Sequence, residues 1–118
     1  MPILGSGDFV YEVSGEDWGD IPEGSTYKEA TAVAVDGDDN VYVFNRGTNP
    51  MIVFDTEGKV QRTWGHGIFS SPHGVTVGPD GTIWCVDNAD HSVRQFTPDG
   101  KHDLIPMANI TVRKKLGS

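Results

Sequence analysis

The sequence predicts an all-β fold built from two consecutive copies of one four-stranded unit. A shift of 42 positions superposes the copies without a gap, so that Val33-Ala34-Val35 falls on Val75-Thr76-Val77 and Val41–Phe44 falls on Ile83–Val86. Fifteen of the 118 residues are glycine, which suits short strands joined by tight turns. Because apolar positions and turn residues recur in one register, the two units are expected to share one structure.

Turn sequences separate the four apolar strands of each unit. The first turn contains Asp36-Gly37 in one copy and Pro79-Asp80-Gly81 in the other; glycine accepts positive φ there, and aspartate bonds its own backbone. A second turn ends at Gly58 or Gly100 and leads into the outer strand. The predicted strands are 31–35, 40–44, 50–54 and 59–64 in the first unit, and 73–77, 82–86, 92–96 and 101–105 in the second.

Four-stranded units with a period of roughly 40–45 residues are typical of β-propeller blades. The inner strands are almost wholly apolar, as expected for sheets that are covered on both faces. A β-sandwich with coincidental internal similarity is the alternative fold. Known propellers close with roughly four to eight blades, so two blades alone would leave apolar faces in water. The sequence therefore predicts a propeller fragment that closes into a ring by homo-oligomerisation.

Four segments follow from this interpretation. Residues 1–29 hold an extra outer strand and a loop, 30–71 form the first blade, 72–107 form the second, and 108–118 are a tail or one more strand. The extra strand is expected at Asp8–Ser14, as part of a blade whose other strands are absent. We therefore expect this strand to complete the blade of a neighbouring copy.

Charge and composition disfavour several classes of protein. The net charge of −8, from 17 acidic and nine basic residues, argues against nucleic acid as a partner. Cys85 is the single cysteine, which excludes an internal disulfide and a cysteine-rich zinc site. The sequence shows neither a bilayer-length apolar run nor a signal-peptide pattern at its start. We expect a soluble protein that does not bind membranes and is cytoplasmic by default.

The segment Pro72–Asp87 resembles NHL repeats. Its Pro-His-Gly start and Trp-x-x-Asp ending, together with Phe44-Asn45-Arg46-Gly47 in the preceding unit, are similar to motifs of the peptidyl-α-hydroxyglycine α-amidating lyase (peptidylamidoglycolate lyase) family. The resemblance covers about residues 30–101. It implies two blades of a six-bladed propeller with a catalytic zinc, which cleaves peptidyl-α-hydroxyglycine into a peptide amide and glyoxylate.

The same resemblance assigns roles to two residues. His73 matches one of three zinc-binding histidines, and Arg46 matches an arginine whose guanidinium would bind the carboxylate of a peptide substrate. The family's zinc histidines sit on alternate blades, so a trimer with six blades would bring three His73 side chains to one axis, and we favour that copy number. A rim histidine bonded to backbone and a surface salt bridge are the alternative interpretations. Thr31, which matches His73 in the first unit, cannot replace an imidazole as a zinc ligand.

The expected function is a self-assembling β-propeller module that need not be catalytic, with a further copy of itself as its partner. The isolated chain is not expected to be an enzyme, because the family's catalytic tyrosine and its other two zinc histidines would lie in later blades. The alternative is a zinc-dependent lyase of the peptidylamidoglycolate type, and a lactonase-like or streptogramin-lyase-like propeller comes third. Calcium is a second candidate cofactor, at acid-rich turns such as Asp36–Asp39.

Overall fold

The computed structural model describes residues 2–15, 18–21 and 29–101, and the backbone of residues 103–105. These residues form one two-stranded and two four-stranded antiparallel sheets, which confirms the all-β class. The further strand that the sequence suggested near the end of the chain lies outside the described residues. The strands are β1 Ile3–Ser6, β2 Phe9–Glu12, β3 Ala30–Val35, β4 Val41–Asn45, β5 Met51–Phe54, β6 Val60–Trp64, β7 Pro72–Val77, β8 Ile83–Asp87, β9 Ser92–Phe96 and β10 Asp103–Ile105.

Each four-stranded sheet is a meander in which every strand pairs with its neighbour along the chain. Blade 1 has the order β3-β4-β5-β6, and blade 2 has the order β7-β8-β9-β10. The registers are equivalent, since Val33 pairs with Val43 in blade 1 and Val75 pairs with Cys85 in blade 2. This is the arrangement expected of propeller blades.

The turn after the first strand of each blade is held by an aspartate. In blade 1 a carboxylate oxygen of Asp36 accepts the backbone N–H groups of Asp38, at 2.9 Å, and Asn40, at 3.0 Å. The chain then needs a residue at positive φ, and Asp39 adopts φ 64° where the repeat-equivalent Gly81 adopts φ 83°. Aspartate tolerates this conformation better than most side chains. The two turns therefore match although their sequences differ.

The core lies between the two blades. One face of blade 1 contributes Tyr42, Phe44 and Met51, and one face of blade 2 contributes Ile83 and Cys85; all five are fully buried. Phe69, in the segment that joins the blades, bridges them: its ring centroid lies 4.8 Å from that of Phe44 and 5.7 Å from that of Phe96. Packing of one blade against the next is thus already present within the chain.

The N-terminal strands form a separate hairpin. β2 lies within the segment where an extra outer strand was predicted, and it pairs with β1 from Ile3↔Glu12 to Ser6↔Phe9. Among the described strands, neither β1 nor β2 packs against a blade. Their large apolar side chains, such as Ile3 and Phe9, are about 70% exposed. Completion of a neighbour's blade by this segment stays a prediction.

Candidate functional site

The start of β7 displays His73 on the rim of blade 2. Pro72 pairs with Asp87 and Gly74 pairs with Val86, so His73 falls at an irregularity in the ladder between β7 and β8. Such irregularities re-aim a side chain at the end of a strand. Pro72 is buried, whereas His73 is exposed. The imidazole is therefore available to a ligand or to a neighbouring chain.

Arg46 lies beside His73, because its side chain crosses from blade 1 to blade 2. Its Nε donates to the carbonyl oxygen of Pro72 at 3.1 Å, and its Nη1 lies 2.9 Å from Oε2 of Glu29. The backbone N–H of Arg46 also donates to the carbonyl oxygen of Glu29. The two residues that the sequence singled out are thus brought together at one rim. A ligand carboxylate at this guanidinium would share it with Glu29.

Asp87 holds the segment that leads into the site. Its carboxylate is almost fully buried and accepts backbone N–H bonds from Ser70 at 2.6 Å, Ser71 at 3.1 Å, Ala89 at 2.9 Å and Asp90 at 3.3 Å. Burial alone would raise the pKa of Asp87, but these backbone bonds favour the charged form and hold the pKa below its ordinary value. The bonds to Ser70 and Ser71 reach into the interblade segment, just before the strand that carries His73.

Asn45 takes the equivalent place in blade 1 with a different set of partners. Its Nδ2 donates to the carbonyl oxygens of Asn49, at 2.9 Å, and Pro50, at 3.2 Å, while its Oδ1 accepts the N–H of Gly47 at 2.7 Å. An amide suits this environment because it must both donate and accept. A carboxylate suits Asp87, since all of its described partners are donors.

No cluster of three potential metal ligands occurs within the described part of one chain. A catalytic zinc needs three protein ligands, so His73 alone does not fit that metal. His66 bonds the carbonyl oxygen of Thr48 through Nδ1 at 3.1 Å, and His91 occupies a turn with φ 56°. His102 lies outside the described residues. Among the described residues of one chain, His73 therefore has no set of partner ligands with which to hold zinc.

The acid-rich turn Asp36–Asp39, which the sequence suggested for calcium, is held by hydrogen bonds within blade 1. Besides the two turn N–H groups, Asp36 accepts bonds from Asn40 Nδ2 at 3.1 Å and from the Tyr42 hydroxyl at 3.1 Å. Burial raises the pKa of Asp36, but the hydrogen bonds from Asn40, Asp38 and Tyr42 outweigh this effect and hold the pKa below its ordinary value. Arg62 Nη2 in turn donates to the Tyr42 hydroxyl. These contacts indicate a structural brace.

In the described part of the chain, no helix is long and apolar enough to cross a membrane.

Comparison with known proteins agrees with the blade architecture. A sequence model of the NHL repeat matches residues 69–96, which include β7, β8 and β9. The peptidyl-alpha-hydroxyglycine alpha-amidating lyase 1 of Drosophila melanogaster is 49% identical over 43 residues, or 36% of this chain and 8% of that protein. Lyase 2 of the same organism is 27% identical over 108 residues, covering 70% of this chain and 27% of that protein.

This chain therefore spans about a quarter or less of the length of these curated relatives. The resemblance drawn from the motifs at Pro72–Asp87 and Phe44–Gly47 is confirmed. The chain carries an NHL repeat, and its blades are related to part of the peptidyl-alpha-hydroxyglycine alpha-amidating lyases.

Proposed function

We propose that this chain is a self-assembling propeller module, whose two blades form a ring with further copies of the same chain. A trimer with six blades is the favoured form. One observation carries the proposal: the two outward faces of the blade pair are the repeat equivalents of the two faces that already pack together inside the chain. The same contact can therefore recur between copies, head to tail.

Four valines of β3 and β4 share the outward face of blade 1 with Ile52 and Phe54 of β5, which are already buried within the chain. The four valines, Val33, Val35, Val41 and Val43, are here named the front face. A shift of 42 positions maps these onto a set of blade 2 residues that pack against blade 1, namely Val75, Val77, Ile83 and Cys85. The front face and its equivalents in blade 2 differ in how far their side chains are exposed. Val33 and Val35 are 62% and 53% exposed, whereas their equivalents Val75 and Val77 are partly buried against the core between the blades.

The outward face of blade 2, here named the back face, includes Thr76, Trp84, Val86 and Val93. Its positions correspond to the residues with which blade 1 covers blade 2, namely Ala34, Tyr42, Phe44 and Met51. Val86 is 37% exposed, while its equivalent Phe44 is fully buried. The back face of one copy is thus matched to the front face of another.

A contact between two different surfaces propagates from copy to copy and makes a closed ring when the rotation per copy divides the circle. Because propellers close with roughly four to eight blades, two, three or four copies satisfy this condition. Six blades agree with the propeller expected from the lyase resemblance. Burial of the exposed valines on the front face supplies the driving force.

A charge on the front face is expected to prevent assembly. In Val33→Asp, ring formation would bury an unpaired carboxylate among valines, so we expect the association constant to fall by at least about 100-fold. Unfolding of the single chain should change little, because Val33 is exposed there. Sedimentation velocity over a dilution series measures the association.

Thr48→Asp is the matched control, since it adds the same charge at an exposed residue of the turn between β4 and β5, and its repeat equivalent Asp90 bonds to Asp87 and Ser92 within its own blade. This control should assemble like the unmodified chain. Equal association of Val33→Asp and Thr48→Asp would show that the front face is not the interface.

A second candidate function is a lyase of the amidating type. The observation that favours it is the bond from Arg46 Nε to the carbonyl oxygen of Pro72, the residue that precedes His73. In a trimer the ring would supply three His73 imidazoles, which is the number of protein ligands that a catalytic zinc uses. Zinc bound there would act as a Lewis acid on the substrate's hydroxyl or carboxylate. Arg46 would orient the substrate through its carboxylate.

Zinc content and glyoxylate release test this second candidate. The assembled chain is expected to hold about one zinc per three chains and to release glyoxylate from a peptidyl-α-hydroxyglycine. His73→Ala should lose both properties while keeping its assembled mass. His66→Ala is the control, because His66 bonds the carbonyl oxygen of Thr48 in another loop. Zinc retention by His73→Ala would remove His73 as the shared ligand.

A further inference from the structure

Trp64 marks the junction between the two blades of the chain. It is the last residue of β6, yet its indole lies on blade 2: the ring centroid is 5.0 Å from that of Phe96, and Nε1 donates to the carbonyl oxygen of Pro98 at 3.2 Å. The ring covers Gly100 so closely that a Cβ there would lie 2.1 Å from Trp64 Cδ2. Gly65 follows with φ 95°. A Trp-Gly pair at the end of one blade's outer strand thus seals that blade to the next.

Trp18-Gly19 repeats this arrangement on blade 1. The Trp18 ring centroid lies 5.4 Å from that of Phe54, and a Cβ on Gly58 would lie 3.2 Å from Trp18 Cε2. Phe54 and Gly58 are the repeat equivalents of Phe96 and Gly100. Gly19 adopts φ 99°, close to that of Gly65. In addition, the N–H of Asp20 donates to the carbonyl oxygen of Gly58 at 2.7 Å.

Trp18 therefore occupies the place that an outer-strand tryptophan of a preceding blade would take. The second unit lacks an equivalent tryptophan, since its sequence has Pro106-Met107 at the positions that correspond to Trp64-Gly65 in the first unit. Trp18 is still 43% exposed, and it lies on the blade whose front face exposes Val33 and Val35. A preceding blade that packs on this face would cover both.

From these contacts we infer that Trp18-Gly19 seals the junction between copies, standing in for the outer-strand end of the blade before blade 1. That blade is blade 2 of a neighbouring copy, which packs its back face on the front face beside Trp18. Each junction of the ring then holds one Trp-Gly pair: Trp64-Gly65 within a chain and Trp18-Gly19 between chains. This inference rests on the proposed assembly and names the residue that completes its interface.

Trp18→Ala tests the inference. We expect the association constant to fall by at least about tenfold, since tryptophans that complete an interface carry a large share of its binding energy. The fold should persist, because the core between the blades does not include Trp18. Far-ultraviolet circular dichroism checks the fold, and sedimentation equilibrium measures the association.

Ile21→Ala is the matched control, as it removes an apolar side chain, 39% exposed, from the same segment. Its association constant should stay within about twofold of the unmodified value. If the unmodified chain assembles and Trp18→Ala assembles equally well, the inference is wrong and the assembly stands. If the unmodified chain does not assemble at any concentration, the proposed assembly is wrong. The inferred contact between Trp18 and a neighbouring copy is then wrong as well.

Discussion

Replacing Gly100 by alanine is expected to lower the free energy of unfolding by about 3 kcal/mol or more. The new Cβ would lie 2.1 Å from Cδ2 of Trp64, inside the van der Waals contact of two carbons, and the backbone there has φ 69°. Trp64 cannot move away without losing its contact with Phe96 and its hydrogen bond to Pro98. Urea unfolding followed by tryptophan fluorescence measures the loss.

Gly81→Ala separates the clash from the backbone strain. Gly81 also has positive φ, 83°, but a Cβ there would have no neighbour within 4 Å. We expect this variant to lose only about 1 kcal/mol, which is the cost of placing alanine in that conformation. Equal losses in the two variants would contradict the close packing of Trp64 on Gly100.

The second large effect is expected at Asp87. In Asp87→Asn an amide N–H₂ group would face donors such as the backbone N–H groups of Ser70 and Ser71, so we expect a loss of about 2 kcal/mol at neutral pH. The pH dependence should change as well. Because the folded pKa lies below the unfolded value of 3.8, Asp87 stabilises the fold above that value. This contribution is lost as the pH falls through the folded pKa.

Urea unfolding between neutral pH and about pH 3 measures this contribution. The stability of Asp87→Asn should fall less steeply in acid than that of the unmodified chain, with a residual slope from groups such as Asp36, whose pKa is also lowered. Glu57→Gln is the control, since it removes an exposed carboxylate whose contact with Lys59 is 4.0 Å long. Parallel acid curves for Asp87→Asn and the unmodified chain would contradict the role of Asp87.

The repeat was sufficient to predict the strands of both blades. A register of 42 positions carries apolar periodicity and turn residues together, and both depend on local sequence. Even Asp39, which lacks the glycine of its equivalent Gly81, is accommodated at positive φ. Interactions between residues close in sequence therefore determine the strands and turns of each blade. The observed strands agree with the expected ones to within a few residues.

The junction residues were harder to predict because their partners are distant in the sequence. Trp18-Gly19 resembles Trp64-Gly65 as a dipeptide, but it does not lie in the 42-residue register, so the repeat gives no signal for it. Likewise, the bond from Arg46 to the Pro72 carbonyl joins residues 26 positions apart and depends on how the blades pack. The resemblance identified Arg46 and His73 separately. That Arg46 reaches the start of the strand that carries His73 could be seen only once the packing of the two blades was known.

The mass of the unmodified chain in solution tests the central claim most directly. Two blades with exposed front and back faces should not stay alone in water, so light scattering should give three times the chain mass of 12.8 kDa, falling towards a single mass on dilution. A stable 12.8 kDa species at every concentration would contradict the assembly and the shared site built on it.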